Sequence, residues 1–337
     1  SMGRVTSSTI AEGTALEAVT SYTYDDNGNV LTVTLPNGVV TTYTYDNAQR
    51  LTGVEDDLGN TITYTLDAAD NITKEEYKNS SSTLKYTLSK VYDELSRIIE
   101  NVDANTDSAA FEYDDNGNQI SMTDANTNET EYAFDGLNRL VETTDALSGT
   151  TSYDLNELDQ NEGTTDPRSN ETAYSYNAFG DITQEVSPDR GTINYTHDKA
   201  GNVTQMTDAR SVVTNYTYDA INRLASMSYP SDTGLNVTLS YDDNPGTSGA
   251  CGTSIGRLCR VVDASGTTDY KYNDLGQLIE VKEVRGSLTF TTGYDYDLAG
   301  ILTEITLPSG RTIDYTLNDN GQVSAVSADV NATSTSL

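Results

Sequence analysis

Residues 21–30 read "SYTYDDNGNV": two tyrosines one residue apart, then Asp-Asp-Asn-Gly-Asn. Tyr22 and Tyr24, at i and i+2, share one face if the segment is extended. The acidic run behind them is either a turn or a cation-binding loop. The choice matters because near-copies recur down the chain. Aromatic residues follow Tyr22 at 21-residue intervals at Tyr43 and Tyr64, and the series resumes at Phe111, Tyr132, Tyr153, Tyr174, Tyr195 and Tyr216. Looser spacing carries it through Leu239, Tyr270, Tyr294 and Tyr315, and a degenerate copy, "KVYDELSRII", begins at Lys90. That makes fourteen copies.

Stacking the copies shows what each place requires. The first is aromatic in twelve of fourteen, and the third is Tyr or Phe in ten, Leu in three and His197 in one, so large side chains alternate as on a strand. Tyr43 and Tyr45, or Tyr216 and Tyr218, repeat the pair Tyr22 and Tyr24. The residue between is often Thr, a good strand former. A second strand follows, as in "NVLTVT" (29–34), and then a second turn: "LPNG" (35–38), "TDAN" (123–126), "TDPR" (165–168), "LPSG" (307–310). Strand, turn, strand, turn in 21 residues is one β-hairpin per repeat.

The seventh place decides between turn and metal loop. It is Gly in eight copies, beginning with Gly28, and Asn or Asp in four more, with Gln49 and Ser96 completing the set. These are mostly the residues that tolerate a left-handed backbone. Asp, two variable residues and a left-handed residue spell a type I turn closed by a G1 bulge. The fourth place is Asp in ten copies (Asp25, Asp46 and Asp219 among them) and Asn in four, as a turn allows, since both side chains offer an accepting oxygen. A hard cation wants several charged oxygens, yet "DNAQR" (46–50) and "DAINR" (219–223) supply one carboxylate and then an arginine. The turn is the expectation. The "DDNG" copies, with Asp25 and Asp26 or Asp114 and Asp115, remain as weak calcium candidates.

Of 337 residues, 19 are basic and 52 acidic, a net charge of −33 that disfavours nucleic acid and anionic lipid as partners. Hydrophobic content is 35%, suited to layers one sheet thick. No apolar run reaches the ~20 residues that span a bilayer, no signal peptide is evident, and membrane insertion is not expected. The opening "SM" looks like a tag scar. Residues 1–20 then hold the scar and a partial repeat, 21–327 the array, and 328–337 a truncated tail, with insertions near 74–89 and 243–255. Cys251 and Cys259 flank "GTSIGRL"; a loop-closing disulfide is expected in an oxidising compartment and an inert thiol pair in the cytosol. The single histidine, His197, stands in an aromatic slot, and no catalytic motif, metal motif or cofactor-binding loop is present. The tyrosine face has two readings: rings packed on one another from repeat to repeat, or a platform for stacking sugars.

The copies "YTYDDNGNVLTVT", "FEYDDNGNQISMTDANT", "YTYDAINRLASM" and "YSYNAFGDITQEV" resemble the YD repeat of the RHS family, over residues 3 to 327. The resemblance implies an all-β fold in which repeated 21-residue hairpins form a long, spiralling antiparallel sheet, a solenoid-like shell wall. In RHS toxins and insecticidal toxin complexes such a shell encloses a toxic domain; in teneurins it serves adhesion. The RHS-associated core motif and a toxin domain are not found here. The implied role is a non-catalytic scaffold in a secreted or surface-exposed bacterial protein, partnered by other segments of its parent or an enclosed domain. The alternative is an adhesion module that binds glycan or a cell-surface protein. Twisted open sheets beyond ~10 strands curl or split, which agrees with a spiral.

Overall fold

The computed structural model describes residues 3–242, 251–330 and 333–336. The chain divides into two compact units, one formed by Ser1–Thr87 with Val237–Leu337, the other by Leu88–Asn236. Both are built of β-strands; among the described residues the one helix is a 3₁₀ turn at Thr233–Leu235. Each registered pair is antiparallel and joins strands consecutive in the chain. Ala18–Tyr24 pairs with Val30–Thr34, which pairs with Val40–Tyr45, which pairs with Leu51–Glu55. The hairpin array is therefore as expected.

Both turns of a repeat have the same construction. In the first, Gly28 N donates to Asp25 O and Asp25 N donates to Asn29 O; in the second, Thr127 N donates to Asp124 O and Asp124 N to Asn128 O. Every seventh-place residue has positive φ, including Gln49 (67°) and Ser96 (61°). The left-handed place of the second turn often falls on Ser or Thr: Thr106 (70°), Thr127 (65°), Ser148 (64°), Ser169 (65°). A β-branched residue is strained there, so these turns are held by more than their own preference.

A 21-residue period built on two identical turns would put successive tyrosines on opposite faces, were it not for a further bulge. In the first hairpin Thr23 faces Thr32 but Tyr24 faces Val30, which leaves Leu31 over. The same shift recurs at Thr44/Tyr45, Glu112/Tyr113 and Thr217/Tyr218. With the bulge in place, Tyr22 faces Val33 and Val33 faces Thr41, two residues before Tyr43 on its own strand. In the second unit Tyr132 leads through Thr143 to Thr151, again two before Tyr153. An even step keeps all rings on one face, and the stagger inclines the strands to the direction in which repeats add.

The stagger also corrects the expectation that repeat rings pack on one another. Equivalent rings lie two strands apart, ~10 Å, plus the offset, beyond the 4.5–7 Å of ring contacts. The ring pair in contact among the described residues is Tyr77 with Tyr86, 5.5 Å apart and outside the repeat positions. Nor is there a sealed core among the described residues. The buried apolar residues are Ala18, Cys251, Cys259 and Ala328, and the repeat tyrosines are half-buried.

The segment near 74–89 is no loop but a lengthening of two hairpin arms, Ile72–Lys78 and Leu84–Tyr92, joined by a turn in which Ser82 N donates to Asn79 O (2.7 Å). Of the second insertion, 243–250 lie outside the described residues. Cys251 and Cys259 form a disulfide across eight residues. Beside it Tyr272 N donates to Cys251 O (2.8 Å) and Thr253 N to Tyr272 O (3.2 Å). Gly252 has φ +67°, and a Cβ there would run into the Tyr272 carbonyl, so this residue must be glycine.

Relieving the strained second turn should stabilise the sheet: Thr127→Gly is expected to gain about 0.5–1 kcal/mol, the αL penalty less the entropy of glycine. Chemical denaturation checks it, and a loss of stability would refute the strain.

Candidate functional site

The chemistry-bearing residues of the repeat converge on its turns. Asp25 Oδ1 accepts from Gly28 N (2.7 Å) and Asn29 N (2.8 Å), while Oδ2 accepts from Asn29 Nδ2 (2.8 Å). Asp114 does the same with Asn116 N, Asn118 N and Asn118 Nδ2. These carboxylates are filled by donors of their own turns, while their neighbours Asp26 and Asp115 point to solvent as turn residues. Among the described residues no group of three or more His, Cys, Asp or Glu is arranged to hold a metal ion.

In the first turn of a repeat the partner four residues on follows a rule of complementarity. Where the turn opens with Asp, the partner is a donor: Asn29, Asn71 and Asn118, or Arg50, Arg97, Arg139 and Arg223. Where it opens with Asn, the partner accepts. Asn156, Asn273 and Asn318 donate from Nδ2 to Gln160, Gln277 and Gln322, and Asn177 donates to Asp181 Oδ2 (2.8 Å). Asp297, followed by Ile301, keeps only the backbone part. These bonds shift titration. The Asn118 amide holds the Asp114 carboxyl below the usual carboxylate range, and the Arg50 backbone N–H, then its guanidinium, does so for Asp46. Asp166, which opens a second turn, is lowered to about 2, chiefly by the Asn170 amide.

The arginines also reach the next repeat. Arg50 Nη1 donates to Asp67 O and Asp70 Oδ1, both 2.8 Å, and Arg139 Nη1 to Asn156 O and Asp159 Oδ1. Arg97 lies over the Tyr113 ring, 4.6 Å from its centroid, and Arg4 and Arg257 cover Tyr24 and Tyr272. The third-place tyrosines reach back. Tyr45 OH donates to Val30 O (3.0 Å), Tyr113 OH to Ile98 O (2.8 Å), Tyr176 OH to Asn161 O (2.7 Å) and Tyr218 OH to Val203 O (3.0 Å). His197, in the same place, leaves Nδ1 buried without a hydrogen-bond partner beside a 550 Å³ cleft lined by Phe179, Tyr195 and Lys199. First-place Tyr22, Tyr43 and Tyr216 are half-buried on the same face.

In the unit that joins the chain's beginning to its end, turns distant in sequence meet. Asn37 Nδ2 donates to Asp297 Oδ2 (3.2 Å), Asn320 Nδ2 to Asp56 Oδ2, and Leu58 N to Asn320 Oδ1 (3.1 Å). Sequence reasoning found Asp and the left-handed residue but missed the partner four residues on. The signal was present: within this one chain, Asn holds the fourth place of a copy only where Gln or Asp follows four residues on.

The sequence profile described as Teneurin YD-shell matches residues 61–246, and that described as RHS Repeat matches 24–57 and 272–312. No curated protein matches the chain. Among solved structures, a TcdB2-TccC3-TEV crystal structure is similar at 13% identity and a TM-score of 0.61 over 95% of this chain and 22% of its own. A Photorhabdus luminescens Tc holotoxin pore is similar at 13% identity and a TM-score of 0.52, over 92% of this chain and 21% of its own. The chain thus spans about a fifth of the length of the structures it matches, and the likeness shows the fold.

The donor–acceptor rule is open to reversal. Asn177→Asp, which sets carboxylate against Asp181, should cost about 1–2 kcal/mol, and adding Asp181→Asn should restore most of it by recreating the pair of Asp198 with Asn202. A double variant no more stable than Asn177→Asp alone would show that the pairing contributes nothing.

Proposed function

The chain belongs to the teneurin YD-shell family, and on that premise we propose that it is a non-catalytic stretch of shell wall in a larger secreted or surface-exposed protein, which encloses or displays another part of its parent. The observation that carries this is the turn-to-turn seam between Asp56 and Asn320, 264 residues apart. A sheet one layer thick becomes a wall only if it is joined sideways as well as along its strands, and the seam supplies the sideways join. The motif residues support the same reading, since turn aspartates, arginines and third-place tyrosines take their partners within a repeat or from a neighbouring one.

The partners are then other segments of the parent or its enclosed domain. The net charge of −33 turns the wall away from nucleic acid. The disulfide of Cys251 with Cys259 fits an oxidising, extracellular setting. The sugar-binding alternative leaned on exposed tyrosines and on the loop 243–255. The third-place hydroxyls that would contact a sugar already donate to carbonyls of the preceding repeat. No observation favours that reading over the wall.

Limited proteolysis of the full parent polypeptide tests the proposal. The repeat segment is expected to resist, and the enclosed segment to be protected until the wall is unfolded. Cleavage of that segment at equal rates in the intact parent and on its own would overturn enclosure.

A further inference from the structure

Asn-Gly occurs four times in the chain, at Asn27, Asn37, Asn116 and Asn320. Two of these asparagines supply side-chain donors that cross the seam, Asn37 to Asp297 and Asn320 to Asp56. Asparagine is chemically labile, and most so before glycine, where no side chain shields the following amide nitrogen. That nitrogen attacks the carboxamide carbon and a C–N bond forms. The side-chain nitrogen leaves as ammonia, taking the glycine N–H proton. Water then opens the cyclic imide to aspartate or isoaspartate, and no other reactant is needed.

At Asn320 the fold demands both members of the pair. The side chain donates and accepts at once, from Nδ2 to Asp56 Oδ2 and at Oδ1 from Leu58 N (3.1 Å), which a carboxylate cannot do. Gly321 has φ +74°, and a Cβ there would strike Ile301 Cδ1. The same contacts engage the reacting atoms elsewhere. The carboxamide is tied across the seam at both its polar atoms, and Gly321 N donates back to Asn318 O (2.8 Å). The surroundings are already acidic, since a 350 Å³ cleft beside Gly321 is lined by Asp57, Asp297 and Asp319.

We infer that Asn320–Gly321 is a deamidation site that makes opening of the seam irreversible. While the seam is shut, the carboxamide is held and the reaction is slow. Once it opens, imide formation replaces the donor that faces Asp56 with a carboxylate that repels it, and the seam does not reform. Asn37 follows the same course against Asp297. Asn116, whose Nδ2 donates to the neutral carboxamide of Asn138 (3.0 Å), is the comparison in the other unit. The inference rests on the bonds of the seam and holds whether or not the wall encloses anything.

Peptide mapping by mass spectrometry, with isoaspartate scored enzymatically, tests it on the chain held at mildly alkaline pH. The comparison is Asp56→Asn, which keeps an oxygen to close its own turn but offers Asn320 no carboxylate. Asn320 should deamidate about tenfold faster in the variant, the worth of one hydrogen bond to a charged group, while Asn116 reacts at one rate in both. Hydrogen exchange reads the seam itself, because the Leu58 amide donates across it. Chains that carry aspartate or isoaspartate at 320 should exchange residues 56–60 faster than chains that retain Asn320. Asn320→Asp should reproduce that loss of protection, and adding Asp56→Asn should restore it. Equal rates at Asn320 in the two chains, modified chains as protected as unmodified ones, or a double variant left unprotected would each overturn the inference.

Discussion

One interaction recurs through the whole chain: a side-chain oxygen at the head of a turn accepting the N–H groups two to four residues on, as Asp46 does with Ala48 and Arg50. It satisfies donors that the turn leaves unpaired and holds the third residue on left-handed, even when that residue is Gln49, Ser96 or Thr127. With so few buried apolar residues, the sheet leans on this closure to a degree that a two-layered protein does not. The turn also sets the register, the register sets the two-residue stagger, and the stagger brings Tyr45 OH onto Val30 O. Closure, register and inter-repeat ties are one chain of cause.

Much of this was legible in the sequence because it repeats. The alternation at Tyr22 and Tyr24, the Asp at Asp25 and the left-handed place at Gly28 identify strand, turn and bulge in one copy, and thirteen further copies remove the ambiguity. The second bulge, at Leu31, carries no residue signature. It follows from parity, since an odd period cannot otherwise keep Tyr22 and Tyr43 on one face. The role of the partner four residues on escaped because Asn, Arg, Gln and Asp look like variation until matched to what opens the turn. Ring packing was misjudged for a geometric reason: spacing along the chain says that Tyr22 and Tyr43 share a face, not that the stagger holds them apart. The turn-to-turn contacts of Asn37 and Asn320 join residues some 260 apart, beyond any local pattern.

The same economy explains why so acidic a chain shows little that looks like a reactive site. Lone carboxylates invite metal or catalytic readings, yet Asp25, Asp46, Asp114 and Asp219 each accept from two backbone N–H groups and one side chain. Their charge is put to work inside the turn. The partner place also fastens one repeat to the next: Arg50 and Arg139 reach the following turn through Nη1, and Asn118 and Asn202 do so through Nδ2, onto Asn138 and Asn222.

An acid titration of thermal stability tests the dependence on turn carboxylates most directly. Two effects oppose one another. Lowering the pH neutralises solvated acidic groups near the ordinary value of ~4 and relieves the repulsion of a −33 chain. Turn aspartates such as Asp46, Asp114 and Asp166 titrate lower when folded than unfolded. Their stabilisation is therefore complete above ~4 and is lost as the pH falls through their folded values, about 2 for Asp166. The melting temperature should hold or rise from pH 7 to ~4 and then fall steeply toward ~2. A melting temperature that keeps rising through that lower range would mean that charge relief alone governs stability, and that the turn carboxylates do not hold the sheet.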